Sequence, residues 1–83
     1  MSAVKTSPFV DEITEFLASV PSAEQIIAFR LSDKLEARAL DLLERSRANK
    51  LASDERAEMD EFLRMNHFIN MLKLKTRLKL VGD

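Results

Sequence analysis

The stretch RMNHFINMLKLKTRLKL, residues 64–80, decides how this chain is read. Met65, Phe68, Ile69, Met71, Leu72, Leu74, Leu78 and Leu80 leave few sides of a helix polar. No acid interrupts the segment, and Lys73, Lys75, Arg77 and Lys79 gather towards its end. On a wheel of about 100° per residue the apolar positions of the surrounding helix sort into three stripes. Met59, Phe62, Leu63 and Ile69 form one, which suits a core. Met65, Phe68 and Leu72 form a second, and Met71, Leu74 and Leu78 a third. A helix that is apolar on several sides is covered on several sides. The segment is therefore expected to touch two things, its own domain and something else.

Outward from that stretch, cap signals divide the chain into helices. Ser53 followed by Asp54 and Glu55 opens the last helix, which runs to about Leu80. Ser32 with Asp33 opens another to Ala48 or Asn49, placing an acceptor and a negative charge at the positive end of its dipole; Leu35, Ala39, Leu42 and Leu43 share its apolar face. Ser22 and Gln25 match the S-x-x-Q capping box, which predicts a short helix to about Phe29 or Arg30. Residues 8–19 carry Phe9, Ile13, Phe16 and Leu17 at helical spacing, and Pro21 stops them, because proline disfavours helical geometry in the residue before it. Residues 1–7 read as a flexible tail and 8–83 as one small domain.

One glycine and two prolines leave few turn signals, and no stretch alternates as a strand does. The expected fold is all-α: a helical hairpin of one medium and one long helix, with one or two short N-terminal helices. At about 1.5 Å per residue the medium helix is roughly 25 Å long and the last roughly 42 Å. The last helix must overhang its partner, with Ile26, Ile27 and Phe29 available to fold over one side.

Composition narrows the functions. Eighty-three residues make one small domain, thinly stabilised alone and helped by oligomerisation. The chain has no cysteine, so no disulfide or cysteine-based zinc site is expected. Thirteen basic and 14 acidic residues give a formal charge of −1, with no global attraction to nucleic acid or membrane. The amino end has acids where a signal peptide needs its apolar run, and no run reaches membrane-spanning length. A cytoplasmic protein without membrane contact is expected.

His67 is the lone histidine and lacks the H-x-x-x-H, H-E-x-x-H or cysteine companions of a metal site or general base. Ser22, Ser32 and Ser53 are explained as helix caps, and one glycine cannot build a phosphate loop. No catalytic residue, metal or cofactor is expected. Asp54, Glu55, Glu58, Asp60 and Glu61 crowd the start of the last helix, opposite in sign to its end, which complements the dipole. Yet Lys73–Arg77 and Lys75–Lys79 are like-charge i, i+4 pairs, mildly destabilising unless an acidic partner or phosphates neutralise them. Met59, Met65 and Met71 recur along the same helix and suit either core filling or an adaptable binding face.

From Pro21 to Leu80 the chain, as PSAEQIIAFRLSDKLEARALDLLERSR and ERAEMDEFLRMNHFINMLKLKTRLKL, resembles a family of small all-helical bacterial proteins frequent in cyanobacteria. The shared pattern is one of helix caps and core positions, with no catalytic motif. The resemblance implies an accessory or antitoxin-like role beside nuclease-like genes. Family members commonly place a glycine and then Thr-Pro between the two long helices, where this chain has Asn49-Lys50-Leu51-Ala52-Ser53. Residues 1–20 fall outside the pattern.

The leading expectation is a non-enzymatic protein-binding module, antitoxin-like, that uses the multi-sided last helix through Met65, Phe68, Met71, Leu72 and Leu78. A second is a small nucleic-acid-associated regulator using the basic patch Lys73, Lys75, Arg77 and Lys79. A third, compatible with the first, is a homodimer or higher oligomer in which two hairpins form a four-helix bundle around Phe62, Met65 and Ile69.

Overall fold

The computed structural model describes residues 7–82. Most of the expected tail, residues 1–6, and Asp83 lie outside the described residues. Within them the chain folds into four helices and no strand: α1 Pro8–Ala18, α2 Ala23–Ile27, α3 Asp33–Arg47 and α4 Ser53–Val81. The all-α hairpin of a medium and a long helix, preceded by two short ones, is the observed architecture.

Each start has a local cause. Ser7 belongs to α1 rather than to the tail, because its hydroxyl accepts from the Val10 N–H and caps the helix ahead of Pro8. At α2 the capping box closes in both directions: Ser22 Oγ accepts from Gln25 N at 3.2 Å, and Gln25 Oε1 accepts from Ser22 N at 2.8 Å. Helix α2 ends at Ile27, two or three residues earlier than the spacing predicts. Ser32 caps α3 through the Leu35 N–H, and its own N–H donates to the Glu12 carboxylate at 2.6 Å, tying α1 to the start of α3. Ser53 is not a cap. Ala52 holds that position and has no side-chain acceptor; its N–H is instead taken by Glu55 Oε1 at 3.0 Å. The shift follows from Glu55, which as third residue of the helix can reach back to only one backbone N–H.

The two stops differ in quality. Asn49, at φ 59°, ends α3 in a left-handed turn with Lys50 N bonded to Arg45 O at 2.8 Å and Asn49 N to Ser46 O at 3.0 Å. This is the paired-bond motif that usually takes glycine and tolerates asparagine. At the end of α1 the left-handed residue is Val20, at φ 57°. A β-branched side chain is strained there, and Pro21 has no N–H for the second bond of the motif.

Burial places the core at the meeting of α1, α3 and α4. Phe9 and Leu42 are fully buried, Leu35 and Ala39 nearly so, and Leu31, Leu51, Met59, Phe62 and Met65 pack against them. The Phe9 and Phe62 rings lie 5.1 Å apart at 55°, a tilted geometry favoured by aromatic pairs. Phe9 sits at the centre of the packing although it lies far in sequence from the helices it packs against. Leu63, expected in the core stripe, is exposed; Ile69 is buried. The reason is rotation. The core stripe of α4 runs through Phe62, Met65 and Ile69, and Leu63 follows Phe62 by about 100°, turned away from α3. A second ring pair, Phe16 with Phe29 at 4.5 Å, fastens the end of α1 to the link after α2, and α2 itself lies along α4.

Candidate partner-binding surface

The acidic start of α4 is fastened to α3. Arg38 forks onto Glu58, with Nε to Oε2 at 2.9 Å and Nη2 to Oε1 at 2.8 Å, and Arg45 reaches Glu55 at 2.6 Å. Arg38 and Arg45 both also contact Asp41, and Arg64 pairs with Glu61 at 2.8 Å along α4. The Arg38 guanidinium holds the Glu58 carboxyl below the usual carboxylate range. Arg45 does the same for Glu55, assisted by the Ala52 N–H. The sequence pattern showed the acids but not that Arg38 and Arg45 would meet them across the hairpin.

At the other end no such compensation is present among the described residues. Lys73 Nζ donates to the Phe29 carbonyl at 2.6 Å, so this cation is a strut between α4 and the link after α2. Lys75, Arg77 and Lys79 are exposed and make no ion pair among the described residues. The expected patch of four is thus one structural lysine and three uncommitted cations.

The expected partner-binding residues also divide. Met65 packs against the core cluster and Leu72 is half-buried, while Phe68, Met71 and Leu78 are exposed. With those three stand exposed Leu63, Leu74 and Val81. At about 100° per residue, Leu63, His67, Met71, Leu74, Leu78 and Val81 fall within about 80° of one another, on the side of α4 opposite Met65 and Ile69. Leu63, Leu74 and Val81 are apolar residues of this stripe that sequence reasoning left out of the binding set. The signal was present: 67, 71, 74, 78 and 81 are separated by four, three, four and three, the spacing of a coiled-coil seam. Phe68 lies at the edge of this stripe, beside Lys75.

Of the expected seam of a homodimer, Phe62 and Met65 pack within the chain against Phe9 and the α3 core, and Ile69 is buried. Beside them a cleft of about 360 Å³ opens between α1, α3 and α4, lined by Phe9, Ile13, Phe29, Phe62, Met65 and Ile69, with Asn66, Asn70 and Lys73 at its edge. Among the described residues no three His, Cys, Asp or Glu side chains gather as a metal site would require, and no helix is long and apolar enough to cross a membrane. Comparison with protein-family models, with curated proteins and with solved structures finds no match to this chain.

Proposed function

We propose that the chain is a non-enzymatic protein-binding module, antitoxin-like in that it covers a partner through the outer face of α4. The observation that supports this reading is the apolar stripe of Met71, Leu74, Leu78 and Val81, exposed on the side of α4 turned away from its own core. Exposed apolar residues scattered singly need no explanation, whereas a contiguous row on one helix face marks an interaction site. The stripe is not required to complete the hairpin, and its cost in exposed apolar surface is offset when a partner covers it. The cytoplasmic setting and the resemblance to antitoxin-like proteins fit this reading and belong to the same proposal.

The second reading, a nucleic-acid regulator, is favoured by one observation, three exposed cations at the end of α4 that make no ion pair among the described residues. It is separated from the first by salt. Three phosphate contacts give a slope of about −2.7 in log affinity against log salt for duplex DNA, whereas rim cations at a protein interface chiefly alter the association rate. The test is co-purification from the producing cell at mild salt, comparing the wild type with a Leu74→Gln, Leu78→Gln double variant and with a Lys75→Ala, Arg77→Ala, Lys79→Ala triple variant, after circular dichroism shows all folded. A protein partner retained by the triple variant and lost by the double variant supports the module. Duplex DNA bound with the steep slope and indifferent to the leucine changes overturns it.

A further inference from the structure

The seam spacing on α4 and the charges beside it indicate the kind of partner. Resting on the reading of α4 as a protein-binding element, we infer that the stripe His67, Met71, Leu74, Leu78 and Val81 docks an acidic amphipathic helix of another protein, in a short two-helix coiled coil. Three features of the structure combine. The stripe itself spans about 80°, as a seam with apolar residues every three and four positions does, with exposed Phe68 and Leu80 standing outside it. Its positions follow the heptad, with Met71 and Leu78 at the first position and Leu74 and Val81 at the fourth. Lys75 and Arg77 then fall at the fifth and seventh positions, which in a coiled coil face the partner's own flanking residues and set its identity.

The charge at those positions selects the occupant. Elsewhere on α3 and α4, Arg38, Arg45 and Arg64 each face a carboxylate of the chain itself, while Lys34, Arg47 and Arg56 make no ion pair among the described residues. Lys75, Arg77 and Lys79 have none among the described residues. A second copy paired in register along Met71 and Leu74 does not supply it. Parallel pairing sets the two groups of cations side by side. Antiparallel pairing centred on Met71 and Leu74 sets them over Arg64, Asn66, Phe68 and Asn70, none of which is an anion. A helix with leucine-like residues at the seam and glutamates beside it meets both requirements at once. Like-charge repulsion disfavours the second copy on the same account that attraction favours the acidic helix.

The inference is tested with three synthetic helical peptides of four heptads that are identical except at the two flanking positions, where one carries Glu, one Gln and one Lys. Each is titrated against the full chain, alongside vesicles of phosphatidylserine and phosphatidylcholine and a sedimentation run of the chain alone. The expected result is binding in the order Glu, Gln, Lys, with roughly tenfold or more between the first and last, as a few flanking ion pairs of modest strength provide. Loss of the interaction is expected in Leu74→Gln, Leu78→Gln. A Lys75→Glu, Arg77→Glu variant should reverse the order, an outcome that misfolding cannot imitate. Equal binding of all three peptides overturns the acidic occupant while leaving a protein-binding α4 standing. No peptide binding, with the chain held by anionic vesicles or sedimenting as a dimer insensitive to peptide, overturns both.

Discussion

At the scale of single residues the caps and stops show how far local chemistry determines the fold. Ser22 and Ser32 were legible because a hydroxyl three residues before a backbone N–H is a short-range event, complete within four positions. Ser53 misled because its hydroxyl stands before two acids, whereas the cap position falls one residue earlier, at Ala52, which has no side-chain acceptor and is held only by the bond from its N–H to Glu55 Oε1. Ser22→Ala and Ser32→Ala should each lose about 0.5–2 kcal/mol in urea unfolding, whereas Ser53→Ala should stay within about 0.5 kcal/mol of the wild type, as surface substitutions do. Val20 was legible as a stop through Pro21, but its left-handed backbone was not. It is 85% exposed, so its isopropyl group gains little packing in return for the strain. Val20→Asn should raise stability by about 1 kcal/mol, since asparagine visits this region readily; a lower melting temperature would show that Val20 contributes a contact.

At the scale of elements, α4 carries two roles along one length. Its first half is bound to α3 by carboxylates, and its second half passes beyond α3, supported on one side by α2 and by the Lys73 bond to Phe29. The overhang was legible from helix lengths alone. The division of the three stripes was not, because a wheel gives relative angles and no zero; the zero is set by Phe9, which packs on Phe62 from a part of the chain distant in sequence. Salt links make the joint between α3 and α4 sensitive to acid. Glu55 and Glu58 are held lower in the folded chain than in the unfolded one. Their contribution is therefore fully present above the unfolded carboxyl value, about 4.3, and is lost as pH falls through their folded values. The melting temperature should drop as pH is lowered below about 5. Glu58→Gln should cost about 0.5–1 kcal/mol at neutral pH, the range of partly exposed pairs with good geometry, and should flatten that acid dependence. An unchanged profile would mean that the Arg38 fork contributes nothing in solution.

At the scale of the whole molecule, the chain completes its fold with one side of α4 and keeps the other. The core gathers Phe9, Leu35, Ala39 and Leu42 with Phe62 and Met65, so the residues first expected to build a dimer are engaged at home. Among the apolar residues left outside is a seam of Met71, Leu74, Leu78 and Val81 edged by cations. That separation into an inner and an outer apolar face is the centre of the account, and urea unfolding of Leu74→Gln, Leu78→Gln tests it most directly, with Phe9→Ala as the reference for a core loss of about 3–5 kcal/mol. The double variant is expected to unfold within about 0.5 kcal/mol of the wild type, as changes on an exposed surface do. A loss of about 2 kcal/mol or more in the double variant, independent of protein concentration, would place the seam inside the chain's own fold and contradict it.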